Sequence, residues 1–322
     1  MKASQLWLKA SKLLQSGGLV RAFTQILPVA ALAILCTSQS LRAEPGAHDP
    51  SRMTQNVDGR YWIFTTGNGI YAMSAADVLF TSGVRAENTV FKAGTWPSWI
   101  NSYVSGFGGN FWAPDVIKIG STFYCYYACA GTGAPACIGL ATATNLAGPW
   151  TDKGLIFAGN NAIDPAPIIN GSYMYLAYGN WQSGIDLIEL SPSTGKRLNT
   201  YLWHLIPNRQ VEGPYIMKNG SYFYLFFQSG LCCNGCSSTY YVRVGRSTSI
   251  FGPYVDKNGV TLSSGGGTTF LVNKSSNIVG PGHVGYGCGK LTFHFYNANA
   301  NCAPQLRIRN MTWGSDGWPV AQ

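Results

Sequence analysis

The chain has 322 residues, of which only 11% are charged, against an average of about 25% in globular proteins. It carries 39 glycines, 18 tyrosines and 10 tryptophans. This composition excludes a disordered chain, a coiled coil and a helical repeat, and it is typical of β-rich proteins with many turns. Five of the 22 basic residues and none of the 13 acidic ones lie in residues 1–43, so the net charge of +9 falls to 17 − 13 = +4 without that stretch. Nucleic acid is therefore not an expected partner.

The N-terminal residues 1–43 are predicted to form a secretory signal peptide. Basic residues precede an apolar run of 11 residues from Ile26 to Cys36, and cleavage is expected after Ser40 or Ala43. The run is too short to span a bilayer as a helix, although an uncleaved anchor is the alternative. We expect a secreted or periplasmic protein with no stable membrane association after cleavage, and a single domain over residues 44–322.

One strand pattern recurs along the rest of the chain. A turn signal precedes a run in which aromatic and other apolar residues alternate, and a second strand follows. The five copies cover residues 58–64, 120–127, 170–176, 219–227 and 289–296. Such alternation predicts strands, and repetition at intervals of roughly 50–70 residues predicts an all-β, five-bladed β-propeller. A β-sandwich is the alternative, but it would not predict the same unit five times. No segment of helix length after residue 45 has the helical period.

Eight cysteines remain when Cys36 is set aside, and an even number in an exported chain predicts disulfides. The expected local pairs are Cys129 with Cys137 and Cys288 with Cys302. Cys232, Cys233 and Cys236 form a tight cluster. Zinc is disfavoured there, because no histidine lies at ligand spacing and the compartment is oxidising.

Four acidic residues lie beside prolines in apolar sequence, and each precedes an aromatic strand. They are Asp49, Asp115, Asp164 and Glu212. In a propeller the chain there enters a blade at its innermost strand, so carboxylates from several blades are expected to meet in one pocket. A carboxyl group in an apolar site has a raised pKa and can act as an acid, whereas one that keeps solvent stays ionised and can act as a base. Glycoside hydrolysis requires that division, although turn capping is the alternative.

Other catalytic motifs are absent from the sequence. It contains no Gly-x-Ser-x-Gly nucleophile motif and no phosphate-binding loop, and its four histidines lack metalloprotease spacing.

Several motifs occur in one order along the chain. They are Asp49-Pro50-Ser51, Phe111-Trp112-Ala113-Pro114-Asp115, Ile163-Asp164-Pro165-Ala166, Val211-Glu212-Gly213-Pro214 and Gly280-Pro281-Gly282-His283. This set, with Gly230-Leu231-Cys232-Cys233, resembles glycoside hydrolase family 43 and in particular its arabinan-degrading members, the endo-1,5-α-L-arabinanases. The resemblance covers the chain from about residue 47 to the C-terminus.

The resemblance implies a five-bladed propeller and an inverting mechanism. Asp49 would be the general base, Glu212 the general acid, and Asp164 the residue that orients Glu212 and tunes its pKa. His283 would help to hold a cation, usually calcium, at the propeller axis, with a core histidine as the alternative. The sugar cleft would be lined by Trp112, Asn180, Trp181 and Ser183. Asp115 would be structural.

The segment 179–184 departs from the family pattern, which leaves chain-length preference open. Together with the signal pattern, the resemblance implies a monomeric secreted hydrolase of α-1,5-linked arabinofuranose in arabinan, with calcium and no organic cofactor. Exo-arabinanase, arabinofuranosidase and β-xylosidase activity are alternatives within the family. A non-catalytic sugar-binding propeller is the alternative from another class.

Overall fold

The structure, a computed structural model, describes residues 45–87, 90–131, 135–207, 209–273 and 275–322. The predicted signal peptide lies outside these residues. The fold is all-β, with five blades in a propeller arrangement, which confirms the predicted fold class. The described residues contain no α-helix but four short 3-10 turns, namely Ser98–Ser102, Gly235–Ser237, Leu262–Ser264 and Ala298–Ala300. Within those ranges no helix is long and apolar enough to cross a membrane.

The blades follow one another along the chain, and each is an antiparallel sheet. The first contains β1 (Thr54–Gln55), β2 (Tyr61–Thr65), β4 (Tyr71–Ala75) and β5 (Arg85–Glu87). The second contains β3 (Gly67–Asn68), β6 (Asn110–Ile119), β7 (Thr122–Cys129), β8 (Ala136–Ala143) and β9 (Thr151–Gly159). The third contains β10 (Ala166–Asn170), β11 (Tyr173–Asn180), β12 (Gly184–Leu190) and β13 (Trp203–Pro207).

The last two blades and a terminal ribbon complete the fold. The fourth blade contains β14 (Val211–Asn219), β15 (Tyr222–Ser229), β16 (Tyr241–Ser247) and β17 (Thr268–Leu271). The fifth contains β18 (Ile278–Gly287), β19 (Lys290–Asn297) and β20 (Ala303–Arg309). The ribbon, β21 (Met311–Trp313) with β22 (Pro319–Ala321), packs against β17.

The alternating aromatic strands lie inside the blades and bury both of their faces. Along β7, Cys125 and Tyr127 pack into one hydrophobic cluster, while Tyr124 and Tyr126 pack into the next. Successive side chains of a strand point to opposite faces, so one strand supplies the packing on both sides of its blade. The aromatic pattern with its period of two residues thus corresponds to a sheet covered on both faces by neighbouring blades.

The N-terminal end of the described chain completes the fifth blade. The N–H of Leu306 in β20 donates to the carbonyl of Pro45 at 2.8 Å, and the N–H of Ala47 donates to the carbonyl of Pro304 at 3.2 Å. First and last segments thereby share one sheet. Asp49 follows two residues after Ala47, so the same closure brings Asp49 to the centre of the blade array.

One disulfide joins the fourth and fifth blades, and it is not a predicted one. Cys236 and Cys302 are bonded, with their Cα atoms 5.3 Å apart and 66 positions apart in sequence. The predicted pair Cys288–Cys302 is therefore wrong, because Cys302 is bonded across the blades rather than within its hairpin. Cys129 and Cys137 lie opposite each other in the β7–β8 register, but the structure holds both as unbonded thiols.

Candidate active site

Two adjoining cavities lie where the first strands of the blades meet. One, of about 490 Å³, is lined by all three predicted catalytic carboxylates, Asp49, Asp164 and Glu212. The other, of about 580 Å³, is lined by segment 180–183, and both cavities share Trp112 and Glu212. Glu212 therefore lies between the cavity of Asp49 and the cavity of the predicted sugar-binding segment.

A residue with left-handed backbone conformation precedes a proline at the start of every blade. These residues and their φ angles are Asp49 (49°), Ala113 (42°), Asp164 (55°), Gly213 (58°) and Gly280 (55°). The strand register shifts beside these positions in β6, β14 and β18. Such bulges re-aim side chains, and a non-glycine residue held there costs about 1–2 kcal/mol. The surrounding contacts must therefore hold Asp49 and Asp164 in place.

Asp49 is held by polar contacts from three other parts of the chain. Its Oδ2 accepts from Thr66 Oγ1 at 2.7 Å and lies 2.8 Å from His48 Nδ1. Its backbone N–H donates to His294 Nδ1 at 3.1 Å, and its Oδ1 lies 3.6 Å from His283 Nδ1. The carboxylate is thus surrounded by histidines.

This environment keeps Asp49 ionised. Burial alone would raise the pKa of Asp49, but the positive charge of His48 and the hydrogen bond to His48 outweigh burial and hold the Asp49 pKa well below the usual range. Burial likewise opposes protonation of His48, yet Asp49 raises the pKa of His48 to about 10. The expected ionised carboxylate is therefore maintained by its protonated partner His48 rather than by solvent.

Glu212 has the opposite tendency. Burial raises the pKa of Glu212 to about 7, and the negative charge of Asp49 adds to that effect. The hydroxyl of Tyr240, which donates to Glu212 Oε1 at 2.9 Å, opposes it, as does a hydrogen bond from the Trp181 backbone. A carboxyl group with this pKa keeps its proton in mildly acidic solution and can donate it.

Asp164 lies directly beside the Glu212 strand. Its Oδ2 accepts from the N–H of Gly213 at 3.0 Å. Burial, together with the charges of Glu212 and Asp49, raises the pKa of Asp164 well above the usual range. Asp164 thus contacts the bulge that carries Glu212, and its raised pKa favours the neutral carboxyl group.

Gln228 links this bulge to His283. In the amide orientation that satisfies the network, Gln228 donates to the carbonyls of Glu212 at 2.7 Å and Gly213 at 2.5 Å, and accepts from the N–H of His283 at 3.1 Å. Gln228 is fully buried in β15. Gln228 could not be recognised as a site residue from the sequence, since an isolated glutamine in an apolar strand carries no motif.

His283 has the protonation state that a metal ligand needs. Burial lowers the pKa of His283, with Asp49 acting in the other direction, so the imidazole is neutral. Calcium takes about 6–8 oxygen ligands. Among the described side chains, one carboxylate oxygen lies close to His283: Asp49 Oδ1 is 3.6 Å from His283 Nδ1. A cation at His283 would therefore be coordinated mainly by water.

The predicted sugar-binding segment is a turn fixed by Asn180. Asn180 Oδ1 accepts from the N–H groups of Gln182 at 3.1 Å and Ser183 at 2.9 Å, and its Nδ2 donates to the carbonyl of Asn160 at 2.5 Å. These bonds occupy the side-chain amide of Asn180, so Asn180 stabilises the turn and does not provide a free polar group for a ligand. The indole N–H of Trp181 is buried and has no hydrogen-bond partner among the described residues.

Asp115 lies away from both cavities. It forms a buried ion pair with Arg52, whose Nε donates to Asp115 Oδ2 at 2.9 Å. Arg52 also lies over the ring of Tyr215, 5.1 Å from its centroid. The predicted structural role of Asp115 agrees with this position between blades.

Further polar residues line the first cavity and were not identified from the sequence. These are His48, Thr66, Cys232, Cys233, Tyr240 and Tyr296. His48 lies 3.7 Å from Cys232 although 184 positions separate them in sequence. The absence of a histidine at ligand spacing in the sequence did not reveal this contact, because spacing along the chain cannot show which distant segments meet.

The family model described as glycosyl hydrolases family 43 matches residues 45–319. The chain is 33% identical over 323 residues to an extracellular exo-α-(1→5)-L-arabinofuranosidase of Cellvibrio japonicus, covering 90% of this chain and 91% of that protein. It is 35% identical over 285 residues to an extracellular endo-α-(1→5)-L-arabinanase of Bacillus subtilis, covering 84% of this chain and 86% of that protein.

A solved structure has the same fold. The α-L-arabinanase of Cellvibrio cellulosa, complexed with arabinohexaose, superposes with a TM-score of 0.78 at 30% identity. The match covers 87% of this chain and 96% of that one. The structural similarity therefore extends over most of this chain and nearly all of that one.

Proposed function

The chain belongs to the glycosyl hydrolases of family 43, and from that premise we propose that it cleaves α-1,5-linked L-arabinofuranose in arabinan by an inverting acid/base mechanism. One observation carries the proposal: Asp49 and Glu212 line one cavity while their pKa values are displaced in opposite directions. Paired carboxyl groups with opposite protonation states are what inverting hydrolysis requires.

In this proposal Asp49 is the general base. Ionised Asp49 takes a proton from a water molecule, whose oxygen attacks the anomeric carbon of the sugar in the first cavity. Thr66 and His48 hold the carboxylate in position for that transfer. Inverting enzymes keep the two carboxyl groups about 6.5–9.5 Å apart so that this water fits between them.

Glu212 is the general acid of the proposed reaction. It gives its proton to the glycosidic oxygen as the bond to the departing sugar breaks, and that sugar occupies the second cavity beside Trp181. Asp164, which accepts from the Gly213 N–H, orients the bulge that carries Glu212. Positioned proton transfer of this kind contributes typically about 10²–10⁴-fold to the rate.

We infer endo action from the extent of the second cavity. A further cavity of about 360 Å³, lined by Arg209 and Arg243, also shares Trp181. A groove that continues past the first departing sugar can hold an arabinan chain on that side. The similar proteins named above include both an exo-acting and an endo-acting enzyme, so the cleavage pattern needs direct measurement.

The test is product analysis on linear α-1,5-arabinan, with xylan and an aryl β-xyloside as comparison substrates. Endo action predicts a mixture of arabino-oligosaccharides at early times, with no release from the xylosides. Arabinose or a single short product from the outset would establish exo action, and release of xylose would favour the β-xylosidase alternative. Sugar binding without any release of reducing ends would establish the non-catalytic alternative.

We propose that His283 binds calcium, largely through water, and that its site supports activity without taking part in bond cleavage. A bound cation supplies positive charge that favours ionised carboxylates nearby. We expect His283→Ala to lower turnover while the unfolding transition stays cooperative, since the propeller sheets do not depend on one imidazole. Metal analysis of wild type and variant, with circular dichroism on both, measures this. Full activity in the variant together with a metal-free wild type would make His283 a packing residue.

Export of the protein is proposed on two grounds. The proteins from Cellvibrio japonicus and Bacillus subtilis are both named extracellular. Residues 1–43 have the charge and apolar pattern of a signal peptide. N-terminal sequencing of protein recovered outside the cytoplasm should begin after Ser40 or Ala43, whereas an intact N-terminus there would oppose cleavage.

A further inference from the structure

Two adjacent cysteines, Cys232 and Cys233, form part of the wall of the catalytic cavity. Their Sγ atoms are 2.7 Å apart, and a disulfide bond requires about 2.0 Å. Cys233 has a φ of 61°, so the backbone between the strands is already turned away from an extended path. The two sulfur atoms can therefore bond with a movement of less than an ångström, about 0.7 Å.

The sulfur atoms touch the group that pairs with the proposed base. His48 Nε2 lies 3.7 Å from Cys232 Sγ and 3.8 Å from Cys233 Sγ. The other nitrogen of His48 faces Asp49 Oδ2 at 2.8 Å. Tyr296 Oη completes the contact, since it lies 2.9 Å from His48 Nε2 and accepts from the Cys233 N–H at 2.9 Å.

The same loop already holds an oxidised pair. Cys236, three positions after Cys233, is bonded to Cys302, and Cys302 lines the same cavity. Conditions that oxidise Cys236 and Cys302 also reach the sulfurs of Cys232 and Cys233. The hydrogen bond from Cys232 lowers the pKa of Cys233 to about 5 against the effect of burial, and His48 adds to the lowering, which favours the reactive thiolate.

A metal ion is a less suitable occupant of this cluster. His48, Cys232 and His294 have ligand atoms within 4.8 Å of one another. However, His294 Nδ1 accepts from the Asp49 N–H, so the neutral ring carries its proton on Nε2 and has no free lone pair there. Both nitrogens of His48 are also engaged, by Asp49 and Tyr296.

We propose that Cys232 and Cys233 form a vicinal disulfide in the cavity wall. The bonded sulfurs then no longer compete for His48, whose two nitrogens contact only Asp49 and Tyr296. Two thiols are oxidised, and the oxidant is an external disulfide such as oxidised glutathione or a thiol–disulfide oxidoreductase. The Cys233 thiolate attacks one sulfur of that disulfide, forms a mixed disulfide and releases one thiolate. The Cys232 thiolate then attacks the Cys233 sulfur and releases the second. Two electrons reduce the external disulfide, and the two thiol protons pass to the released thiolates.

Adjacent cysteines make a strained bridge. Consecutive Cα atoms are about 3.8 Å apart, whereas disulfides prefer about 4.4–6.8 Å. Strained and exposed bridges are the more readily reduced ones. The Cys232–Cys233 bond should thus open at lower reductant concentration than the Cys236–Cys302 bond.

The first arm of the test is chemical and does not depend on the proposed function. Purified wild-type protein is denatured without reductant, treated with iodoacetamide and mapped by mass spectrometry. We expect no alkylation of Cys232 or Cys233, and complete alkylation of both after reduction. Alkylation of both in the unreduced sample would overturn the proposal, as would one metal ion per chain whose removal by a chelator frees both thiols.

The second arm measures arabinan hydrolysis and rests on the proposed function. Graded reductant should lower kcat/KM of the wild type about fivefold, the equivalent of one hydrogen bond, because thiols then compete for His48. The Cys236→Ala/Cys302→Ala variant should keep this sensitivity, and Cys288→Ser, which alters an exposed thiol elsewhere, should match the wild type. The Cys232→Ala/Cys233→Ala variant should be insensitive to reductant. Sensitivity that persists in that last variant would overturn the link to the pair, while absence of all hydrolysis would overturn the proposed function and leave the mass result intact.

Discussion

At the residue scale, three carboxyl groups in one cavity are distinguished by their neighbours rather than by their depth. Asp49 is half-buried, its side chain 15% exposed, yet it stays ionised because protonated His48 pairs with it. Glu212 accepts from the Tyr240 hydroxyl and forms no ion pair among the described residues, so burial governs its pKa. A carboxyl group can therefore serve as base or acid, according to whether a protonated imidazole or apolar groups lie against it.

The Tyr240 hydroxyl is expected to set the alkaline limit of activity. A general acid works while protonated, so kcat/KM should fall as pH rises through the Glu212 pKa, about 7. Tyr240 donates to the ionised carboxylate and lowers that pKa. Tyr240→Phe removes a hydrogen bond to a charged group, worth about 1.5–3 kcal/mol, and should move the alkaline limb up by about one pH unit or more.

The measurement is the pH dependence of kcat/KM on arabinan. Tyr215→Phe is the matched control, because the Tyr215 hydroxyl donates to the carbonyl of Tyr286 at 2.6 Å and not to a catalytic group. The alkaline limb of the Tyr215→Phe pH profile should coincide with that of the wild type. An unchanged or downward-shifted limb in Tyr240→Phe would mean that another group sets the alkaline limit.

At the scale of single elements, each blade combines a predictable hairpin with an unpredicted left-handed residue before a proline. All five alternating aromatic runs are strands, since a two-residue period with turn residues on either side leaves little choice of structure. The left-handed residue before each hairpin was not predicted, because a residue before proline has no sequence signature for left-handed φ. The acid–proline motifs marked several of these positions without revealing their geometry.

The bulge of the fourth blade depends on a close approach to Gly213. Its φ is 58°, and a Cβ added there would lie 2.0 Å from the side-chain amide of Gln228. Gly213→Ala should therefore combine a backbone cost of about 1–2 kcal/mol with overpacking of about 1–3 kcal/mol. We expect a loss of about 3 kcal/mol in the free energy of unfolding. Activity should fall as well, because Glu212 and Gln228 would shift.

Gly220 provides the control for that measurement. Its φ of 57° is nearly the same, but an added Cβ would meet no atom within 4 Å. Gly220→Ala should cost the backbone term alone, about 1–2 kcal/mol, with activity unchanged. Urea denaturation compares the two. Equal destabilisation by both substitutions would show that Gln228 does not restrict the Gly213 bulge.

At the scale of the whole molecule, ring closure and the active site share one segment. Residues 45–47 bond to β20 of the last blade, and Asp49 follows immediately. The repeat predicted five blades from the sequence, and three of the four acid–proline positions carry side chains that converge, whereas Asp115 pairs with Arg52 away from the cavities. The sequence could not predict that His294 and Tyr296 contact Asp49 and His48, because these pairs are about 245–248 positions apart and no sequence motif links them. The disulfide between Cys236 and Cys302 was missed for the same reason.

Ala47→Pro tests the shared role of this segment. Proline removes the N–H that Ala47 donates to the Pro304 carbonyl, leaving that acceptor unpaired, so the expected loss of stability is about 1–3 kcal/mol. Turnover should also fall, because Asp49 lies two residues away. Ala47→Gly keeps the N–H and should cost only about 1 kcal/mol, with turnover retained. Urea denaturation and arabinan hydrolysis measure both effects. Full turnover in Ala47→Pro would show that the hydrogen bonds that close the ring do not position Asp49.

The most direct test of the assignment of base and acid uses one substrate with a poor leaving group and one with a good one. Linear arabinan needs protonation of its leaving oxygen, whereas a dinitrophenyl α-1,5-arabinobioside does not. We expect Glu212→Gln to lose about 10²–10⁴-fold in kcat on arabinan and far less on the dinitrophenyl substrate, while Asp49→Asn loses comparably on both. Equal losses on both substrates in Glu212→Gln, or near-normal turnover of the dinitrophenyl substrate by Asp49→Asn, would contradict the assignment.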